Sequence, residues 1–208
     1  KVDGAVSSRL ADVAQAATGL ERRGYDCCWT AELNHDPFLP LVLAAEHTTR
    51  LELGTSIAVA FARNPMTVAN IGWDMQEYSG GRFILGLGSQ VQAHIEKRFS
   101  MPWSQPARRM REFVLALREI WSCWRDGTKL CFEGDFYTFR DISLVPRPLQ
   151  RPYPSLRVAA TSPDTYPAIG AMGLPIFVAV RLGTLEELGP NIAAYRQAVR
   201  VSPDDPLG

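Results

Sequence analysis

Hydrophobic positions along the chain switch repeatedly between a period of two and a period near 3.6, so strand-like and helix-like stretches alternate from the start. Val2 to Val6 reads as a short first strand. Leu10, Val13, Ala14, Ala17 and Leu20 recur at helical spacing, and Gly24 closes that helix. Tyr25 to Thr30 is a second strand, Leu39 to His47 a second helix, and Leu51 to Ala60 a third strand apolar enough to be buried on both faces. Pro65 starts the next helix, Gly80-Gly81 ends it, and Arg82 to Gly88 is the fourth strand.

The rhythm breaks at Ser89 to Pro106, which shows no clear period and reads as a long loop. Met110, Phe113, Val114, Leu117, Ile120, Trp121 and Trp124 then define an amphipathic helix whose aromatic stripe faces a core. Thr128 to Arg140 alternates around Glu133-Gly134-Asp135 and predicts a hairpin outside the main sheet. Pro146 to Pro154 is a proline-rich connector. Ser155 to Val180 is a strand, a helix opened by Ser162 as N-cap and Pro163 at its first position, and a second strand. Thr184 and Glu187 form a capping box for a further helix, and nothing in residues 201–208 predicts structure.

Strands alternating with helices imply an α/β fold with a parallel sheet. Six strands and an excursion at about residues 125–150 point to a single (β/α)8 barrel domain of TIM type over residues 1–200, with a tail at 201–208. The count is two units short, so the last two βα units are absent from the protein or only from this chain. An open doubly wound sheet is the alternative, but no G-x-G-x-x-G follows the first strand.

The balance of 22 basic and 22 acidic residues gives no electrostatic reason to expect nucleic acid or an anionic membrane as partner. No apolar run is long enough to span a bilayer and no hydrophobic signal stretch opens the chain, so a cytoplasmic protein with a small-molecule substrate is expected. Cys27, Cys28, Cys123 and Cys131 show neither metal-ligand nor disulfide-framework spacing, and read as reduced core residues with no metal site.

In a barrel the residues just after each strand carry the chemistry. The second strand is followed by Glu32, His35 and Asp36, and His35 there is either a proton donor and acceptor or a loop histidine bonded to Asp36. Gly54, Thr55 and Ser56 interrupt the apolar third strand and predict a bulge or a close approach by a ligand. Gly86, Gly88, Ser89 and Gln90 strip side chains from the end of the fourth, which lets a flat ring approach or simply makes a turn. Ser162 and Thr165 at the fifth strand end offer hydroxyls and backbone N–H groups to an anion, or merely cap a helix. A phosphate on one side and bare strand ends on the other describe a planar, phosphorylated cofactor.

The segments Gly24-Tyr25-Asp26 with Trp29, LELGTSIAVAFARNP ending at Pro65, SGGRFILGLGSQ from Ser79 to Gln90, and VAATSPDT before GLPIFVAV resemble the bacterial luciferase-like superfamily of flavin- and deazaflavin-dependent oxidoreductases and monooxygenases. The resemblance implies a non-proline cis peptide at Ser56-Ile57 against the cofactor ring. It implies cofactor contacts from Ser56, Ile57, Gly88, Ser89, Gln90, Ala160, Ser162 and Thr165, and catalysis by Glu32 with His35. Two positions depart from it: Ser89 stands where the luciferase branch usually has arginine, and Leu33 stands where the family has its histidine. Residues 25–140 look closer to deazaflavin-dependent members and 145–198 to flavin-dependent ones, so FMN and the deazaflavin coenzyme both remain. The expected activity is hydride or activated-oxygen transfer to a small organic substrate, in a homodimer that covers the open strand edges. The alternative is a non-catalytic flavin-binding or interaction protein derived from a truncated barrel.

Overall fold

The computed structural model describes residues 1–6, 9–143, 154–178 and 184–199. Its first half runs β1 (Asp3–Ala5), α1 (Leu10–Arg22), β2 (Cys27–Thr30), α2 (Leu39–His47), β3 (Glu52–Thr55), β4 (Ala58–Val59), a 3-10 turn (Ala60–Ala62), α3 (Pro65–Tyr78) and β5 (Phe83–Gly88). Then come α4 (Gln92–Lys97), α5 (Pro106–Asp126), β6 (Lys129–Glu133), β7 (Thr138–Ser143), β8 (Ser155–Ala160), α6 (Thr165–Gly170), β9 (Ile176–Val178) and α7 (Leu185–Ala198). The main sheet has the order β1-β2-β3-β5-β8-β9, with β4 also on β5, and its ladders are parallel.

The sheet is strongly curled. Trp29 on β2 and Phe177 on β9 are four strand steps apart, which is roughly 19 Å across a flat sheet at about 4.8 Å per step. Their ring centroids are 5.2 Å apart, edge to face. Among the described residues β1 pairs with β2 and β9 with β8 but not with each other, so the sheet is a parallel half-barrel. The expected strand alternation is present; the closed eight-stranded ring is not formed by these residues.

Register decides what each face carries. The partners Trp29↔Gly54, Gly54↔Ile84, Gly86↔Arg157 and Ala159↔Phe177 place these residues on the concave face. The Arg157 guanidinium lies 5.3 Å from the Trp29 ring and 5.9 Å from Phe177, so two touching aromatics and a cation pack together on the concave face. The convex face presents Cys28, Leu53, Phe83, Leu85, Leu87, Leu156 and Val158, all buried beneath the helices. From α1 the residues Val13, Ala17 and Leu20 face this core, and from α5 the predicted stripe Met110, Phe113, Val114, Leu117, Ile120, Trp121 and Trp124 does.

Four expectations need correction. The third strand is not continuous from Leu51 to Ala60, because the chain kinks at Ser56-Ile57 between β3 and β4. The stretch from Ser89 to Pro106 contains a helical piece, α4, whose Ile95 is fully buried although its other residues are mostly polar, which hid the period. The helix after β8 begins at Thr165 with Asp164 at its N-cap, so Ser162 and Pro163 belong to the preceding turn. Cys131 is exposed on the hairpin, whereas Cys27, Cys28 and Cys123 are buried.

The predicted hairpin is β6 and β7, an antiparallel pair outside the main sheet. The buried carboxylate of Glu112 on α5 accepts from the backbone N–H groups of Asp135, Phe136 and Tyr137 at 3.0, 2.7 and 2.7 Å, and so fastens the hairpin turn to the helix. The capping box of Thr184 and Glu187 is formed. Most of the Pro146 to Pro154 connector, the end of the last predicted strand and the 201–208 tail lie outside the described residues. No helix among the described residues is long and apolar enough to cross a membrane.

Candidate functional site

The carboxyl ends of the strands meet at one end of the half-barrel, and the kink after β3 organises them. The Ser56-Ile57 peptide is cis. Ser56 N donates to the Thr30 carbonyl at 2.6 Å, and the Ile57 carbonyl accepts from Glu32 N at 3.2 Å, so the kink is tied to the end of β2 on both sides. Thr55 binds the next strand through its side chain: its hydroxyl donates to the Gly86 carbonyl at 2.7 Å and accepts from Gly86 N at 2.9 Å. Ser56 faces a cavity of about 490 Å³, lined also by Ala5, Val6, Trp29, Leu33 and Asp36.

The loop after β2 is held by charge. Glu32 is 7% exposed, and its Oε2 accepts from Arg63 Nη1 at 2.6 Å and from Val59 N at 2.7 Å. Arg63 Nη2 also donates to Asp36 Oδ2 at 3.1 Å, while Asp36 Oδ1 accepts from Phe38 N and Leu39 N ahead of α2. Thr30 closes the loop by donating its hydroxyl to the Pro37 carbonyl at 2.7 Å. His35 is exposed and lines neither this cavity nor the next.

A second cavity, of about 290 Å³, lies between the ends of β5 and β8 and the start of α5. Ser89, Gln90, Gln92, Thr161, Ser162 and Thr165 give it a polar wall, and Trp103 and Met110 an apolar one. Ser162 Oγ donates to Asp164 Oδ1 at 2.5 Å and lies 2.7 Å from Thr165 Oγ1. Gln90 sits in the left-handed region with φ of 62°, as the chain turns out of β5.

The strand ends thus bring Ser89, Gln90, Ser162 and Thr165 to one cavity and Ser56 to the larger one. Ala160, expected beside them, is 1% exposed among core side chains, because the strand period turns Ala159 and Thr161 to the cavity instead. The glycines also serve another purpose than admitting a flat ring. A Cβ on Gly54 would collide with the Trp29 ring, one on Gly86 with the Thr55 carbonyl and Phe177, and one on Gly88 with Ile57. Their missing side chains make room for the protein's own residues. Sequence reasoning overlooked Arg63, which stands in a quoted motif yet gives no local sign of its two carboxylate partners, and used Trp29 only as a mark of resemblance.

The sequence model of the family described as luciferase-like monooxygenase matches residues 2–206. An uncharacterized protein of Mycobacterium tuberculosis is 67% identical over 158 residues, covering 76% of this chain and 46% of that protein. An F420-dependent glucose-6-phosphate dehydrogenase of Intrasporangium calvum is 33% identical over 143 residues, covering 65% of this chain and 41% of its own length. The chain therefore spans less than half the length of these relatives. In fold it is similar to the oxygenating constituent of 3,6-diketocamphane monooxygenase from Pseudomonas putida, solved in complex with FMN, with a TM-score of 0.74, 16% identity, and coverage of 92% of this chain and 57% of that one. The kinked third strand, the polar strand ends and the family match agree: this chain belongs to the luciferase-like monooxygenase family.

Proposed function

We propose that this protein is an oxidoreductase that holds reduced FMN or the deazaflavin coenzyme and serves hydride or activated-oxygen transfer to a small organic substrate. The observation that carries this reading is the cavity beside the Ser56-Ile57 kink, with Trp29 in its wall, at the strand ends where barrels bind ligands. Its 490 Å³ falls within the roughly 300–1,000 Å³ of small-molecule pockets.

The donor set suits the two parts of such a cofactor. Trp29, Val6 and Ala5 offer apolar surface to a planar ring, and Ser56 offers one hydroxyl beside it. The smaller cavity offers hydroxyls and carboxamides to a polyol and phosphate tail, and among its described lining residues there is no Lys or Arg. Ser162 directs its proton to Asp164, Thr165 then donates to Ser162 Oγ, and Ser89 donates to the Gln90 carbonyl at 3.1 Å, so the Thr161 hydroxyl and the carboxamide N–H groups of Gln90 and Gln92 are the donors left for tail oxygens. When bound, the ring supplies the hydride or, as a reduced flavin, the activation of oxygen. The chain orients that ring and excludes water from one side of it. His35 on the loop after β2 is the residue proposed to pass a proton, since Glu32 already accepts from Arg63 and Val59; because His35 lines neither cavity, that transfer runs through water.

Titration of the purified protein with FMN, riboflavin and the deazaflavin coenzyme, followed by visible absorbance, tests the reading. Saturable binding of one ring system supports it, and no binding by any of the three ends it. With no Lys or Arg among the described lining residues of the tail cavity, FMN is expected to bind less than about tenfold more tightly than riboflavin, where a charge-paired phosphate is worth more. Stopped-flow mixing of the reduced complex with oxygen then separates the two chemistries. Binding without turnover of the ring leads instead to the non-catalytic reading. We also propose a homodimer in the cytoplasm, the dimer supported by the outer edges of β1 and β9, which carry no further strand among the described residues, and tested by sedimentation.

A further inference from the structure

Arg63 follows the 3-10 turn and runs back under the loop after β2, with its side chain 15% exposed. Its planar fork reaches both carboxylates of that loop: Nη1 meets Glu32 Oε2 at 2.6 Å, and Nη2 meets Asp36 Oδ2 at 3.1 Å. Nη1 also donates to the Val59 carbonyl at 3.2 Å, and the guanidinium carbon stands 5.5 Å from the centre of the Phe38 ring. Glu32 returns the connection, accepting from Val59 N at 2.7 Å and donating its own N–H to the Ile57 carbonyl at 3.2 Å.

These bonds join two pieces of chain that are distant in sequence and that both contribute to the wall of the larger cavity. Leu33 and Asp36 line it from the loop, and Ser56 lines it from the kink. One guanidinium therefore spans the loop and the segment Ile57 to Val59. An ammonium cannot replace it, because a point charge on a flexible stem does not fork to two carboxylates while also binding a carbonyl. The Glu32 carboxylate is buried and in contact with neither cavity, so its place in this network is that of a strut.

We infer that Arg63 is a positioning residue of the cofactor cavity: through Glu32 and Asp36 it fixes the loop that carries Leu33 relative to the kink that carries Ser56, and thereby the placement of a ring against both. The inference rests on the reading that this cavity takes a flavin or deazaflavin, and it has one arm that does not need the cofactor.

Four variants decide it: Arg63→Lys, Arg63→Gln, Glu32→Gln with Arg63→Gln, and Lys129→Gln as a control on the hairpin surface. The paired variant removes both charges while leaving an acceptor for Val59 N, so it remains folded where Arg63→Gln alone strands a buried carboxylate. Thermal melts, the dissociation constant of FMN or the deazaflavin coenzyme, and the visible circular dichroism of the bound ring are measured. The expected result is a loss of about tenfold in affinity with an altered ring spectrum in Arg63→Lys and in the paired variant, both with melts near that of the unmodified protein, and no change in Lys129→Gln. Unmodified affinity and an unmodified ring spectrum in the paired variant overturn the inference. In the arm without cofactor, amide hydrogen exchange is followed at residues 57–59. Exchange at least tenfold faster there in the paired variant, with α5 unchanged, supports the clamp, and unchanged exchange overturns it. If the unmodified protein binds neither cofactor, the proposed function fails and this exchange arm alone decides whether Arg63 joins the loop to the kink.

Discussion

Ile57 occupies the space that a side chain at Gly88 would need. A Cβ built on Gly88 lies 2.8 Å from both Cγ1 and Cδ1 of Ile57, closer than carbon atoms approach. The contact joins the residue after Ser56, which lines one cavity, to the residue before Ser89, which lines the other. Gly88→Ala is expected to cost about 1–3 kcal/mol through overpacking, lowering the melting temperature by about 2–4 °C per kcal/mol for a chain of this size. Ile57→Ala in the same protein restores much of the loss. Calorimetry of the single and double variants checks this, and additive losses would show that the two residues do not compete for one space.

Glu112 offers a second test, of the hairpin. Its carboxylate satisfies three backbone N–H groups of the turn, and a Cβ on Gly134 would run into it. Glu112→Ala is expected to destabilise the protein by about 1–3 kcal/mol, since bonds to a charged acceptor are lost and half-buried donors lose their partner. Urea unfolding measures the loss, and amide exchange at residues 134–137 rises with it.

Glu21 makes stability depend on pH at the opposite end of the strands. Burial acts to raise its pKa, but the N–H groups of Thr49, Arg50 and Leu51, donating to Oε1 at 3.0, 2.6 and 3.0 Å, together with the Arg50 charge, leave it below its ordinary value of 4.5. The unfolded chain therefore takes up this proton first as pH falls. The contribution of Glu21 is complete above pH 4.5 and disappears as pH drops through its folded value. The gap in urea midpoint between the unmodified protein and Glu21→Gln should be constant from pH 7 to about 5 and narrow below that. A gap that widens on acidification would contradict the sign.

The cysteines should divide by burial. Burial pushes the Cys28 thiol up to about 12 and raises those of Cys27 and Cys123. Cys131 is exposed. Alkylation of the folded protein at pH 8 is expected to label Cys131 rapidly and the other three slowly, and all four react in urea. Mass spectrometry of the labelled peptides reads the outcome, and fast labelling of Cys27 or Cys28 would mean that β2 is more open than described.

Much of the architecture was visible in hydrophobic spacing because each element buries one face against the same core. The second helix matched from Leu39 to His47, and the stripe from Met110 to Trp124 lay on α5 as expected. Failures came where burial does not set the pattern. Ile95 alone anchors α4, so polar neighbours concealed it. At residues 162–165 the hydroxyl of Ser162 bonds to Asp164 and Thr165 within its own turn, and the helix starts later than capping chemistry suggested.

The candidate site divides along the same line. The order of strands and helices, the interruption of the third strand at Gly54 to Ser56 and the polar strand ends are local in sequence, whereas the cis peptide at Ser56-Ile57 came from the resemblance and is held by Thr30 and Glu32 of a distant segment. The pairing of Arg63 with Glu32 and Asp36, the packing of Trp29 against Phe177, and the division of Ser56 and Ser162 between two cavities join residues from separate elements. Only the curl and register of the sheet bring those side chains together, since spacing along the chain carries no information about which strand face lies opposite which.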